Sequence, residues 1–279
     1  MMRYSLCVTT EEVDKEIPLA LLRGTFIEKL QTASQLGYDG VELMVTDARL
    51  LDGGHIASCI AEQGLVISAI STGAIVKERG ISLLSSQREE EGDAIECLMG
   101  LIAFAQRCQA PIVTIGSFRG RAAYQASRAG VEQRFASILF EAAQEARQKG
   151  VRLALEPINR CDTDFIHTVE EVWHYIDLIG SDVVGVLLDT YHIAMDGLDI
   201  EETVGKACRN GNLLHVHVAD TGRAIVSRGS FDFKTFFTSL RLHKYDTFLS
   251  AELFHGNDGN KAAALTIEAL RQIESECIR

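Results

Sequence analysis

Along the chain, short apolar runs recur eight times, each followed by a longer stretch whose apolar positions fall at helical spacing. The runs are RYSLCV, GVELMV, LVISAIST, PIVTIGS, RLALEP, VGVLLD, LLHVHVAD and FLSAEL. Between them lie amphipathic segments such as GTFIEKLQTASQLG, REEEGDAIECLMGLIAFAQRCQA, VEQRFASILFEAAQEARQKG and FDFKTFFTSLRLHKY. Gly37, Gly64, Gly150 and Gly180 stand where a left-handed residue would close a helix before the next strand. Near-continuous apolar strands are what a parallel sheet covered on both faces requires. Eight such units predict an α/β fold of the (β/α)8 TIM barrel kind. The rival, an open doubly wound sheet, calls for a glycine-rich phosphate turn after the first strand, and CVTTEEVD has no glycine.

Composition narrows the picture to one domain. The chain has 279 residues, 47% of them hydrophobic, against a usual barrel size of about 250 residues. Its three prolines (Pro18, Pro111, Pro157) are scattered and no low-complexity tract interrupts the alternation, so one domain over residues 1–279 is expected. A formal charge of −12, from 39 acidic and 27 basic residues, repels a polyanion and argues against nucleic acid as a partner. The N-terminus MMRYSLCVTTEE has no long apolar run, and no stretch approaches the roughly 18 apolar residues of a membrane span. A cytoplasmic protein without a membrane partner is expected. Seven cysteines lacking any CxxC pair read as reduced, packed thiols rather than a disulfide frame.

Candidate chemistry gathers at the ends of the last four runs. VRLALEPINR pushes Glu156 out beside Pro157, and a carboxylate closing an apolar strand is costly unless something binds it. VGVLLDTYH ends in Asp189 and His192, LLHVHVADTGR carries His215, His217 and Asp220, and FLSAELF carries Glu252. In a barrel these ends share the mouth where such folds place their active sites. Residues two apart on a strand share a face. His215 and His217 therefore both point inward, with His217, nearer the mouth, as the expected ligand and His215 as a second-layer or core residue. Glu42 in GVELMV is another inward carboxylate in need of a partner. Trp173, His174, Tyr175 and His167 are expected to pack.

Glu156, Asp189, His217 and Glu252 around one point suit a divalent ion, Mn²⁺ foremost, with Mg²⁺, Co²⁺ or Zn²⁺ as alternatives. Such an ion polarises a ketone oxygen and its neighbouring hydroxyl and acidifies the C–H between them. Two carboxylates on opposite sides of that carbon could take a proton from one face and return one to the other, which is epimerisation. Transfer between adjacent carbons on one face would instead interconvert aldose and ketose.

EPINR, DTYH, HVHVADTGR and SAEL resemble the signature of the xylose-isomerase-like barrel superfamily, specifically its ketose 3-epimerases of the D-tagatose 3-epimerase group. ISAISTG, IGSFRGR, EPINRCDTDFIHT and HVADTGR look most like the 5-keto-L-gluconate epimerase type. The likeness spans strands three to eight. It implies that Glu156, Asp189, His217 and Glu252 ligate the metal, with Glu156 and Glu252 doubling as the acid/base pair. It also implies that His192 and Arg223 hold the substrate near its carbonyl and that Asp162 supports them. One segment departs: where the family commonly has Pro-Gly-x-Gly after the substrate arginine, this chain has Ala224-Ile225-Val226-Ser227-Arg228-Gly229-Ser230, so a different pocket rim is expected.

Arg119 and Arg121 in IGSFRGR follow strand four at the same mouth, and a guanidinium fork suits a carboxylate or phosphate. Both are expected to bind an acidic substrate such as a keto sugar acid. Rival chemistries share the scaffold. A DNA-cleaving zinc enzyme of the endonuclease IV type needs further His ligands after strands two to four, where GVELMVTD, ISAISTG and TIGSFRG offer none. A dehydroshikimate-type dehydratase and a sugar-binding barrel without chemistry stay open. The apolar helical face from Ile95 to Ala105 fits barrel packing or a subunit contact, and a homodimer or homotetramer is expected.

Overall fold

In the computed structural model, which describes residues 2–124, 127–254, 256 and 258–277, eight parallel strands close into a barrel in sequence order. They are β1 (Arg3–Thr9), β2 (Gly40–Met44), β3 (Val66–Ser71), β4 (Ile112–Ile115), β5 (Arg152–Leu155), β6 (Val184–Asp189), β7 (Leu213–Val218) and β8 (Phe248–Ala251). Each predicted run holds its strand. The helices are α1 (Phe26–Leu36), α2 (Gly53–Glu62), α3 (Ile75–Arg79), α4 (Arg88–Cys108), α5 (Arg128–Lys149), α6 (Val169–Ile179), α7 (Thr190–Met195), α8 (Ile200–Ala207), α9 (Phe233–Leu242) and α10 (Gly259–Cys277). Gly37, Gly150 and Gly180 cap α1, α5 and α6 in the left-handed conformation, while α2 caps on Gln63 and turns left-handed one residue later, at Gly64.

The ring is closed by β1 pairing with β8, where Leu6 lies opposite Ala251. A buried carboxylate fastens this seam: Glu274 on α10 accepts the Met2 amide N–H at 2.7 Å and the Tyr4 hydroxyl at 2.8 Å.

Alternation along the strands sorts side chains between two compartments. Tyr4, Leu6 and Val8 join the large apolar cluster between barrel and helices, whereas Cys7 packs with Met44, Ile17, Ala20 and Ala74 in a separate small one. Ala69, Ile112, Ala154, Leu187 and Leu214 form a third, drawn from β3 to β7. Ala154 and Leu187 stand one inward step below Glu156 and Asp189, so an apolar floor lies under a polar mouth. The α4 face is spent on packing within the chain, because Leu98, Leu101, Ile102, Phe104 and Ala105 are fully buried there. Trp173 and Tyr175 also pack: the indole N–H donates to Lys206 O at 3.0 Å, and Tyr175 meets Phe135 and Phe165 edge-on. His167 is half-buried on Ile158 O, but His174, expected to pack, lies at the surface against Glu132. All seven cysteines are free thiols. No helix among the described residues is long and apolar enough to cross a membrane.

Arg119 overturns an expectation. It is fully buried, and its guanidinium is used up on main-chain carbonyls. Nε and Nη2 donate to Phe165 O at 3.0 and 2.7 Å, Nη2 also to Ile166 O at 2.9 Å, and Nη1 to Gly116 O and Glu156 O at 3.0 and 2.9 Å. A guanidinium has five N–H bonds, so none is left for a substrate anion. Burial pushes its pKa down to about 10, with Glu156, Glu171 and Asp164 holding it up, so the group stays charged and sews the loop after β5 to the end of β4. Arg119→Met is expected to destabilise the fold by about 3–5 kcal/mol, since several buried carbonyls lose their donors. Calorimetry should read this as a drop of roughly 10 °C in Tm. An unchanged Tm with a raised KM for anionic substrates would restore the anion-binding role.

Candidate active site and metal centre

The four residues expected as ligands meet at the mouth. Glu156 follows β5, Asp189 ends β6, His217 lies on β7 and Glu252 follows β8, and all four are buried. His217 Nδ1 is 3.7 Å from Glu156 Oε1 and 3.4 Å from Glu252 Oε2. Ligand atoms of Asp189, His217 and Glu252 lie within 4.8 Å of one another, as do those of Glu156, Asp189 and His192. Glu156 Oε1, Asp189 Oδ2 and His217 Nδ1 are buried with no hydrogen-bond partner. Buried polar groups are rarely left so. Two carboxylate oxygens and one imidazole nitrogen, aimed at one space from separate strands, fit a divalent cation with a preference for oxygen and tolerance of one nitrogen.

Glu42 sets up His217. Its carboxylate crosses the barrel interior from β2 and accepts His217 Nε2–H, with oxygens at 3.0 and 3.1 Å, and His215 Nε2–H at 2.7 Å. These three residues also cluster closely enough to suggest ligands, but they touch one another directly and leave no room for an ion between them. With Nε2–H given to Glu42, His217 turns Nδ1 toward the carboxylates, the arrangement in which an outer carboxylate orients a metal-ligating histidine. The inward Glu42 meets both imidazoles, and His215 is fully buried one inward step below His217. Burial works against the Glu42 charge, but His217 and His215 outweigh it and hold its pKa well below the carboxylate range. Burial likewise disfavours the His217 cation, yet Glu42 and Glu252 raise its pKa well above that of free imidazole. A cation at Nδ1 therefore competes with a proton.

Arg223 lies against the same carboxylates. Nη1 donates to Glu252 Oε2 at 2.7 Å and to Glu252 O at 2.9 Å. It also stands 2.9 Å from Asp189 Oδ2, an ion-pair distance at which no N–H is directed at that oxygen. The guanidinium covers the Tyr191 ring at 4.5 Å. Burial raises the pKa of Asp189 more than Arg223 and His192 lower it. For Glu252 the balance reverses: burial is outweighed by His217 and Arg223, which bring its pKa down to about 2. Arg223 itself adopts a left-handed backbone with φ 55°, a conformation that costs a non-glycine residue of order 1 kcal/mol and collects at functional sites.

A family model described as "Xylose isomerase-like TIM barrel" matches residues 30–273. The chain belongs to this family. An L-ribulose 3-epimerase of Mesorhizobium japonicum is 28% identical to it over 229 residues, covering 81% of this chain and 74% of the relative. A ketose 3-epimerase of Arthrobacter globiformis is 27% identical over 220 residues, covering 78% and 73%. A solved structure of L-ribulose 3-epimerase superposes with a TM-score of 0.83, at 22% identity, over 100% of this chain and 96% of the other.

In this xylose isomerase-like barrel the predicted support of Asp162 is indirect. Asp162 is exposed and reaches His192 through Asn159, whose Nδ2 donates to Asp162 Oδ2 at 2.8 Å and bonds His192 Nδ1 at 2.7 Å. Arg121 is exposed too, and its Nη2 donates to Asp162 O at 3.0 Å, so part of its fork braces a loop instead of facing an anion. The departing rim after Arg223 is ordered by Asp220, whose carboxylate accepts the N–H of Thr221, Gly229 and Phe231 at 2.7, 2.8 and 3.0 Å. A Cβ on Gly229 would lie 2.3 Å from Asp220 Oδ1, and one on Gly116 would lie 2.3 Å from Glu156 Oε2. Nothing in the sequence singles out Asn159 or Gly116. Both lie just past a strand end, Gly116 after β4 and Asn159 after β5 within EPINR, and that place at the mouth is the signal they carry.

Glu42→Gln keeps the size of the group orienting His217 but removes its charge and one of its two acceptors. Mn²⁺ affinity measured by titration calorimetry is expected to fall 10- to 100-fold, and an unchanged affinity would show that Glu42 does not orient this ligand.

Proposed function

We propose that this chain is a divalent-metal-dependent epimerase of a ketose, removing a proton from the carbon beside the carbonyl and returning one to the opposite face. The observation that carries the reading is the convergence of Glu156, Asp189, His217 and Glu252, with three of their buried atoms lacking a hydrogen-bond partner, in a family whose matched relatives include 3-epimerases of ketoses. A divalent ion held by these four residues, Mn²⁺ by preference, would draw charge from the carbonyl oxygen and the neighbouring hydroxyl and so acidify the C–H between them.

The chain's own groups supply the rest. Glu156 and Glu252 enter from β5 and β8, with β6 and β7 between them, and so flank the space before His217 from two sides. His217 and Arg223 hold Glu252 as a carboxylate, so it is free of a proton when the substrate arrives, and with Glu156 on the other side one carboxylate can take a proton and the other return one to the opposite face. The electron pair of the broken C–H bond moves onto the carbonyl oxygen to give an enediolate and returns to the same carbon on reprotonation. His192 and Arg223 border the space where that oxygen would lie. A neutral ketose is favoured over a keto sugar acid such as 5-keto-L-gluconate. The arginine best placed in the sequence to recognise a carboxylate, Arg119, is consumed by carbonyls, and Arg121 is partly tied to loop backbone.

Incubating the protein with Mn²⁺ and a panel of L-ribulose, D-fructose, D-tagatose and 5-keto-gluconate in D₂O tests this by NMR. Deuterium is expected at the carbon beside the ketone of the neutral sugars, together with their epimers, and both should vanish with EDTA. Glu156→Gln and Glu252→Gln should each lower the rate by about 10²- to 10⁴-fold. Conversion of the keto acid alone would reinstate the acidic substrate, and an absence of exchange across the panel with Mn²⁺ bound would point to a binding protein.

A further inference from the structure

Asn159, in the loop after β5, has every polar position of its side chain committed. Oδ1 accepts the backbone N–H of Cys161 at 2.9 Å and of Asp162 at 3.1 Å. That fixes the orientation of the amide and turns Nδ2 the other way, where its two hydrogens meet Asp162 Oδ2 at 2.8 Å and His192 Nδ1 at 2.7 Å. A donor facing Nδ1 leaves one arrangement of the ring: the lone pair on Nδ1 and the proton on Nε2. Nε2 looks into the space bounded by Glu156 Oε1 at 3.6 Å and Asp189 Oδ2 at 3.8 Å, and Arg223 Nη2, also a donor, stands 3.4 Å away. Two donors so close cannot bond each other. They can share an acceptor brought from outside.

We propose that Asn159 is a positioning residue that holds His192 in its Nε2–H form, so that His192 and Arg223 together receive the substrate oxygen on which negative charge develops. This rests on the epimerase reading above. N–H groups fixed in advance toward a developing oxyanion need no reorganisation when the charge appears. Had the proton stood on Nδ1, Nε2 would present a lone pair to the same oxygen and repel it. Asp162, outside the buried cluster, contributes by occupying the second amide hydrogen of Asn159.

The double variant N159D/D162N preserves the net charge and the loop's hydrogen bonds, because the new carboxylate accepts the same backbone N–H groups and the new amide donates to it. Only the group facing His192 changes, from donor to acceptor. In ¹⁵N NMR of the parent, Nδ1 of His192 is expected to be the bare nitrogen and Nε2 the protonated one, and in the double variant Nδ1 should carry a proton. The double variant should lose roughly 10²-fold in kcat on L-ribulose with its Tm within a few degrees of the parent. In a His192→Gln background, which has no ring proton to place, the same pair of substitutions should change kcat less than about threefold. A proton on Nδ1 in the parent overturns the proposal whether or not the protein is an epimerase. Equal losses in the two backgrounds overturn it while leaving the epimerase reading intact.

Discussion

Burying negative charge is the constraint around which this barrel is arranged. Glu42, Glu156, Asp189 and Glu252 are all withdrawn from water inside one ring of strands, where an unpaired carboxylate would cost several kcal/mol. Each answer to that cost fixes part of the site. Glu42 is held between two imidazoles, Glu252 is gripped by Arg223, and Glu156 sits where only a glycine at position 116 leaves room for it. The apolar floor of Ala154 and Leu187 keeps water from reaching these groups from below. The oxygens of Glu156 and Asp189 left without a hydrogen bond face the same space as His217 Nδ1.

Much of this was readable in the residue order, because strand periodicity and barrel closure are local rules repeated eight times. Once LLHVHVAD is a strand, His215 and His217 must share a face with His217 nearer the mouth, and an inward Glu42 must meet something. The convergence of Glu156, Asp189, His217 and Glu252 follows from each standing at the same end of its own strand. Arg119 was illegible for the opposite reason. Whether an arginine after a strand looks into the pocket or onto carbonyls depends on Phe165 and Ile166, which arrive a full helix and strand later. Asn159 is likewise defined by His192 in the next βα unit, and no spacing within EPINR announces that partner.

The rim after Arg223 shows a substitution of means. The Pro-Gly-x-Gly turn expected of the family is absent, and one carboxylate, Asp220, gathers the amides of Thr221, Gly229 and Phe231 in its place. The segment 224–230 can then vary in sequence, provided Asp220 keeps its acceptors and Gly229 its lack of a side chain.

The clamp of Glu274 on Met2 and Tyr4 has a consequence for biosynthesis. β1 is synthesised with only β2 as an early neighbour, and the partner of its tyrosine hydroxyl lies 270 residues downstream, beyond β8 at its other edge. A nascent chain must therefore carry an open, pairing-competent edge until β8 and α10 have been made. The price of a ring whose first and last elements secure each other is that neither is secure until both exist.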